Sequence, residues 1–219
     1  MKEVSSLIDQ LAGDLQPVTP VSPRLGPGIL LWLGLSTAYV VLLSSFLGPL
    51  RPGALDQLLT HPRFLLECLL GVAAITALAQ AGFRSAIPGA LSRGWTLIAA
   101  GITLLWLLNY PLGFISPALE PSMLGKRHHC YVETLILALP PALAAVYWQR
   151  RLYPLRPLYS AAAVGFTAGM IPALYMQIAC MYAPGHILMW HIVPGALVAL
   201  LAMLPLLPGL WRRSRQTAH

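Results

Sequence analysis

The chain alternates between long apolar blocks and short polar connections. Each block is about 20 residues long, the length at which a helix crosses the hydrocarbon core of a bilayer. Strands of a membrane barrel would alternate apolar and polar positions, and these blocks do not. Backbone groups in hydrocarbon must be hydrogen-bonded within their own segment, so the blocks predict helices. The pattern therefore predicts an all-α polytopic membrane protein, a bundle of six transmembrane helices at 28–48, 64–82, 94–112, 130–148, 158–179 and 187–210.

Composition agrees with this prediction. Of the 219 residues, 57% are hydrophobic and 10% are charged, and the mean hydropathy is +0.69. A soluble globular protein would carry charge on about a quarter of its residues. The net charge is +7, which in a membrane protein is typical of cytoplasmic loops that face anionic lipid. We therefore expect the lipid bilayer as a partner and no direct binding of nucleic acid.

The distribution of lysine and arginine predicts the orientation. The N-terminal tail, the second and fourth loops and the C-terminal tail carry 10 of these residues, and the other three loops carry 4. The positive-inside rule then places both termini in the cytoplasm. The first 26 residues contain no apolar core of a signal peptide, so we expect the first span to be an uncleaved anchor. We divide the chain into a cytoplasmic tail (1–27), a six-helix transmembrane domain (28–210) and a cytoplasmic C-terminal tail (211–219).

The N-terminal tail contains a short amphipathic helix. Pro17 ends it, and Asp9 and Asp14 make its polar face more acidic than basic. A helix of this length is marginal alone in water and needs a surface, either the membrane, the bundle or another protein. The acidic polar face is atypical of a headgroup-binding helix and favours an apolar groove on a protein partner. Its apolar stripe follows helical spacing at Val4, Leu7, Ile8, Leu11 and Leu15.

The residues with metal-binding or acid–base chemistry collect on one side of the predicted membrane. All three cysteines, five of the six histidines and every carboxylate outside the tail fall on the non-cytoplasmic side. This clustering is the most informative feature of the sequence. The residues concerned are Cys68, Cys130, Cys180, His61, His128, His129, His186, His191, Asp56, Glu67, Glu120 and Glu133.

Thiol chemistry at Cys130 and Cys180 has three interpretations. Thiolates bind soft metals together with imidazole, and His129 and His186 are near in sequence. Alternatively the two cysteines form a disulfide in an oxidising compartment, or they are small apolar fillers at helix ends. We expect Cys68 to be such a filler.

Three further titratable residues lie within the predicted spans. Glu67 and Glu133 lie just inside their spans, where a carboxylate indicates function unless it reaches the headgroups from a first helical turn. Glu133 also shares a helix face with Cys130, three residues earlier. His191 lies inside the sixth span, and we expect a hydrogen-bonded structural histidine.

The fifth span carries a stripe of small residues, and prolines interrupt the last two spans. The small side chains recur every four residues, which predicts close approach of another helix. Pro172 predicts a kink in the fifth span, and Pro194 and Pro205 predict bends in the sixth. The stripe consists of Ala161, Gly165, Gly169 and Ala173.

The chain resembles the NrsF family of membrane anti-sigma factors. The resemblance begins in the tail with Leu7-Ile8-Asp9-Gln10-Leu11-Ala12-Gly13-Asp14-Leu15-Gln16-Pro17-Val18 and extends along the whole chain. Its further elements are His129-Cys130 followed by Glu133, the basic loop at Arg150 and Arg151, Cys180, and Trp190-His191.

This resemblance implies a regulator rather than an enzyme. A protein of this family has six spans in the bacterial inner membrane, and its cytoplasmic tail binds an extracytoplasmic-function sigma factor. Two periplasmic-side cysteines, by position Cys130 and Cys180, are implied to sense metal or oxidative stress. No cofactor is required, although a metal ion could bind transiently at the two cysteines. The implied sigma-factor-binding residues are Leu7, Ile8, Leu11, Asp14 and Leu15, and the candidate auxiliary ligands are His129, Glu133 and His186.

The sequence departs from the family in one place, and two other functions stay open. We expect an acidic stretch after the second cysteine, but residues 181–184 read Met-Tyr-Ala-Pro, which leaves thiol oxidation or ligation by His186. A membrane thiol oxidoreductase could use the same cysteines, yet such enzymes need two cysteine pairs. A small transporter would need polar residues at mid-bilayer, and Asn109 and Gln177 lie near the ends of their spans.

Overall fold

The computed structural model describes residues 2–13 and 25–207, and within these ranges it contains helices and no strands. Six helical segments are long and apolar enough to cross a membrane, which confirms the predicted fold class. The last of these spans, Pro184–Leu206, combines a short α-helix at Pro184–Ile187, a π-helical turn at Leu188–Ile192, an α-helix at Val193–Met203 and a 3₁₀ turn at Leu204–Leu206. The α-helices are α1 (Lys2–Gly13), α2 (Leu25–Leu47), α3 (Ala54–Thr60), α4 (Pro62–Arg84), α5 (Arg93–Gly113), α6 (Cys130–Arg150), α7 (Pro157–Ala179), α8 (Pro184–Ile187) and α9 (Val193–Met203).

The helix bounds differ from the predicted ones by a few residues. Helix α2 begins at Leu25, three residues before the predicted span. Pro27 is compatible with this start, because the N–H groups of a first helical turn have no partner within the helix and proline lacks one. The short helix α3 was not predicted. It follows Gly53, whose backbone φ of 73° favours glycine.

Consecutive spans run in opposite directions, so the bundle has two ends. We call the end with the first residue of α2 and the last residue of α4 the proximal end. The opposite end, where α2 finishes and α6 begins, is the distal end. Helix α7 is central, since 72% of its most apolar stretch is buried, against 28% for α2. Helix α2 contacts α4, α6 and α7 from the outside of the bundle.

The closest helix packing joins α7 to α9. A Cβ atom added at Gly169 would lie 1.9 Å from the carbonyl oxygen of Gly195. One turn earlier, a Cβ atom at Gly165 would lie 2.4 Å from Cβ of Ala202. The two backbones approach this closely because neither helix has a side chain at the crossing. The predicted small-residue stripe is therefore a helix-packing surface.

An aromatic cluster fixes α2 at the proximal end. The rings of Trp32 and Phe83 are 5.2 Å apart, and those of Phe83 and Trp148 are 4.5 Å apart. The indole nitrogen of Trp32 donates to the carbonyl oxygen of Pro141 at 3.2 Å. Gly28 faces Trp148 so closely that an added Cβ would lie 2.7 Å from the indole. The first span is thus held to α4 and α6 near the point where the tail joins it.

We expect Gly169→Ala to destabilise the bundle by about 1–3 kcal/mol, because the added methyl group must separate α7 from α9. Thermal or denaturant unfolding of the protein in detergent measures this. Gly101→Ala is the matched control, since nothing lies within 4 Å of a Cβ at that position in α5. Equal stability of the two variants would show that the crossing tolerates a side chain.

Candidate metal and thiol site at the distal end

Four potential metal ligands converge at the distal end. They are the sulfur atoms of Cys130 and Cys180 and one ring nitrogen each of His186 and His191, all within 4.8 Å of one another. The two sulfur atoms are 3.2 Å apart, and Sγ of Cys180 lies 3.6 Å from Nε2 of His186. The three cysteines of the chain are free thiols. We call these four residues the thiol–imidazole site.

The two cysteines reach the site from the ends of different helices. Cys130 is the first residue of α6. Cys180 directly follows α7 in extended backbone, and its N–H donates to the carbonyl oxygen of Met176 at 2.9 Å. Helices of opposite direction bring one beginning and one end together, which explains how residues 50 positions apart in the chain meet.

The π-helical turn brings the two histidines together. Residues five apart lie on different sides of an α-helix, whereas a π-helical turn, closed by i→i+5 bonds, brings them closer to one side. His186 and His191 are five apart, and their ring centroids are 5.0 Å apart. Pro194 accounts for the turn, because it has no N–H for the carbonyl of Trp190 and its ring would clash with that carbonyl in a regular helix.

His191 differs from its predicted role. We expected a hydrogen-bonded structural histidine, but the side chain is fully buried, and neither ring nitrogen makes a hydrogen bond of ordinary length among the described residues; the ring interacts with the nearby thiol of Cys180. A buried polar atom without a partner is rare in native proteins and calls for an explanation. A ligand bound at the thiol–imidazole site would supply the missing partner.

The other predicted site residues lie outside this group of ligand atoms. His129 is exposed at the N-cap of α6. Glu133 forms a salt bridge with Arg127, with NH1 and Oε2 3.1 Å apart. Cys68 is buried in α4, as a filler would be. The structure thus brings together Cys130, Cys180 and His186 of the predicted set, and adds His191.

A pocket of about 240 Å³ leads to the site. Cys130 and His186 line it, and Trp190 stacks on His186 with 6.1 Å between the ring centroids. The rest of the lining is basic, from Lys126, Arg127 and His128. A small ion or oxidant can therefore reach a thiol that is otherwise buried.

The hydrogen bond between the two thiols favours ionisation of one of them. Donation from Cys130 lowers the pKa of Cys180, and the contact with His186 lowers it further, against the opposing effect of burial. Thiolate is the form that binds metals and attacks disulfides.

The donor set suits two kinds of chemistry. Two thiolates and two imidazoles are a common ligand set for a tetrahedral zinc ion or a metal of similar softness. Without a metal, the sulfur atoms would have to approach from 3.2 Å to about 2.05 Å to form a disulfide. Two thiolates on one tetrahedral zinc ion, each about 2.3 Å from the metal, would instead stand about 3.8 Å apart. Both reactions therefore change the spacing of Cys130 and Cys180, in opposite directions.

A buried polar network lies beside the site and includes Glu67. Its Oε2 atom accepts hydrogen bonds from the Tyr182 hydroxyl at 3.2 Å and the Gln177 amide at 3.3 Å. The side chain is only 3% exposed, so the interpretation of Glu67 as a headgroup-facing residue is wrong for this bundle. Burial also raises the pKa of Tyr182 to about 12, which keeps its hydroxyl proton available for this hydrogen bond.

A family model described as NrsF, negative regulator of sigma F, matches residues 11–210. The chain belongs to the NrsF family. This confirms the resemblance seen in the sequence, and it implies that the protein negatively regulates a sigma factor. NrsF is a family of regulators rather than of enzymes. No curated protein sequence and no solved structure matches the chain at a significant level.

The sigma-factor-binding residues implied by the NrsF resemblance lie in and after the first helix. Leu7, Ile8 and Leu11 belong to α1, and Asp14 and Leu15 lie outside the described residues. Their role in binding stays a prediction.

We expect mild oxidation of this NrsF protein to join Cys130 to Cys180 and to leave Cys68 reduced, because only the first two sulfur atoms are in contact. Peptide mass spectrometry after alkylation of the remaining thiols measures the pairing. Cys68→Ser is the control and should cross-link like the wild type. A cross-link that includes Cys68 would contradict the geometry.

Proposed function

We propose that this NrsF protein is a membrane anti-sigma factor whose tail binds an extracytoplasmic-function sigma factor. In this proposal, metal binding or oxidation at Cys130 and Cys180 releases the sigma factor. The observation that carries the proposal is the thiol–imidazole site at the distal end. The tail, which carries the predicted partner-binding face, joins the bundle at the opposite end.

The tail suits a protein partner. Helix α1 places Leu7, Ile8 and Leu11 at the spacing of one helical face, and Val4, one turn earlier, is 61% exposed. An amphipathic helix of this kind binds by laying its apolar face into a groove. Asp14 and Leu15 continue the same pattern in the sequence and complete the proposed binding segment.

The arginine distribution supports an inner-membrane location with cytoplasmic termini. Arg84, Arg93 and Arg150 lie at the ends of the spans that reach the proximal end. Basic residues accumulate on the cytoplasmic side of a bacterial membrane. The tail would then meet a cytosolic sigma factor, while the thiol–imidazole site would face the periplasm.

Each of the two proposed signals acts on both cysteines. A divalent soft metal would displace the two thiol protons and form two metal–sulfur bonds, with His186 and His191 as the further ligands. A peroxide would accept two electrons from the thiols, so that one S–S bond forms, the O–O bond breaks, and the two thiol protons end in the reduced oxygen products. The protein needs no resident cofactor for either reaction.

The energy requirement of such a switch is modest. The metal ion or oxidant can change sigma-factor binding only as far as it favours one packing of the bundle over the other. A tenfold loss of affinity corresponds to about 1.4 kcal/mol. Stabilisation by one disulfide is typically about 2–4 kcal/mol, and a zinc site contributes more.

The alternative functions receive less support. A quinone-linked thiol oxidoreductase would need a second cysteine pair, and the chain has three cysteines. A transporter would need a polar path at mid-bilayer, but buried Thr103 and Thr134 each donate to a carbonyl one turn earlier in their own helix. These hydroxyls satisfy helix backbone rather than line a pathway.

We expect the double variant Leu7→Ser, Leu11→Ser to lose capture of the sigma factor, because both changes remove apolar area from the proposed binding face. Co-purification from membranes with mass spectrometry of the captured proteins measures this. Gln10 lies beside the apolar stripe among the polar residues of α1, so Gln10→Ala is the control and should capture the sigma factor as the wild type does. Capture by the double variant would exclude the tail as the binding segment.

We expect Cys130→Ser and Cys180→Ser each to abolish release of the bound sigma factor by Zn²⁺ or hydrogen peroxide, because both reactions need two thiols. Release from the protein in lipid nanodiscs, followed by light scattering or pull-down, measures the effect. Cys68→Ser should release the sigma factor normally. A normal response in the Cys130 and Cys180 variants would exclude this site as the sensor.

A further inference from the structure

Arg127 connects the thiol–imidazole site to the end of α2. Its NH2 atom donates to the carbonyl oxygens of Gly48 at 2.6 Å and Pro49 at 3.0 Å. Its NH1 atom lies 3.5 Å from the carbonyl oxygen of Ser44 and 3.1 Å from Oε2 of Glu133. The last carbonyls of a helix have no partner within the helix and carry partial negative charge, so a guanidinium stabilises them. Arg127 is the side chain that caps α2.

The backbone of Arg127 contacts the thiol–imidazole site. The Cys130 thiol shares its single proton between Cys180 and the carbonyl oxygen of Arg127, which lies 3.3 Å from the Cys130 sulfur atom. One residue therefore contacts a reactive thiol through its backbone and the end of α2 through its side chain. Only 8% of the Arg127 side chain is exposed, so these contacts hold it in place.

A second connection reaches the other cysteine from the same segment. The N–H of Arg51 donates to the carbonyl oxygen of Ala179 at 3.0 Å, directly before Cys180. The guanidinium of Arg51 lies 5.8 Å from the ring centroid of Tyr182, two residues after that cysteine. The segment Gly48–Arg51 is thus hydrogen-bonded to Arg127, which contacts Cys130, and to Ala179, which precedes Cys180.

Helix α2 leads from this segment to the tail. Its buried residues form one narrow stripe, and the rest of the helix faces outward. A peripheral helix held along one stripe can shift at a lower cost than the central α7. Its proximal end is held by the contact of Gly28 with Trp148, next to the junction with the tail.

We propose that Arg127 is the positioning residue that transmits the state of the thiol pair to α2 and so to the tail. This proposal rests on the proposed function. When Cys130 loses its thiol proton to a metal–sulfur or disulfide bond, the hydrogen bond to the Arg127 carbonyl is lost. The loop that carries Arg127 then moves with Cys130, and the cap on α2 moves with the loop. The segment Gly48–Arg51 receives the change, and α2 carries it to the proximal end.

The test compares sigma-factor affinity before and after treatment with Zn²⁺ or hydrogen peroxide in nanodiscs. If the wild type changes affinity tenfold or more, we expect the change to fall below about twofold in Arg127→Gln. Zinc uptake and Cys130–Cys180 cross-linking should stay at wild-type levels, because the ligands are intact. Lys126→Gln is the matched control. It removes a neighbouring charge that lines the same pocket, and it should respond as the wild type does.

A second measurement separates transmission from a merely structural role. Hydrogen exchange of the amides in Gly48–Arg51 should rise on oxidation in the wild type and stay unchanged in Arg127→Gln. If Arg127→Gln fails to fold, Arg127→Lys is the second variant. It keeps the charge but loses the paired donors, and its change in sigma-factor affinity should be smaller than that of the wild type. A wild-type response in the Arg127 variants would overturn the proposal and leave the proposed function intact. Absence of sigma-factor capture or release in the wild type would instead reject the proposed function.

Discussion

The close approach of α7 to α9 is the contact on which the rest of the distal end depends. Gly169 and Gly195 meet backbone to backbone, with no space for a side chain between them. Cys180 lies eleven residues beyond Gly169 on one helix, and His191 lies four residues before Gly195 on the other. The crossing fixes the separation of the two helices, and with it the distance between the thiol and the imidazole. A bulkier crossing would separate the ligands as well as the helices.

Two neighbouring residues with opposite backbone properties build this end of the sixth span. Gly195 removes the side chain that would keep the helices apart. Pro194 removes an N–H and thereby produces the π-helical turn that carries His191. Such a turn is less stable than regular helix, and π-helical turns occur frequently at functional sites. The energetic cost of the turn and of a buried imidazole without a hydrogen bond of ordinary length is consistent with a ligand-binding role for His191.

Much of this arrangement could be predicted from the sequence, because it follows from hydrophobic blocks and alternating direction. Six spans place Cys130 and Cys180 at the same end without any knowledge of side-chain contacts. The role of His191 could not be predicted in this way, since the π-helical turn changes which residues share a face. A proline four residues after Trp190 was the available signal. His129 shows that proximity in sequence can mislead, because it directly precedes Cys130 and yet lies exposed at the N-cap of α6, outside the group of ligand atoms.

Two of the arginines at the distal end, Arg51 and Arg127, were the least predictable part, and they have the largest physical consequence. A guanidinium is costly to bury unless carbonyls, carboxylates or aromatic rings surround it, and only tertiary structure supplies these partners. Arg127 finds helix-end carbonyls and Glu133, whereas Arg51 lies against the rings of Phe64 and Tyr182. Because neither cation can leave its partners without a large loss of stability, the loops that carry them must move together with the segments they bind. Rigid connections of this kind allow a displacement of about an ångström at a thiol pair to reach the far end of a helix.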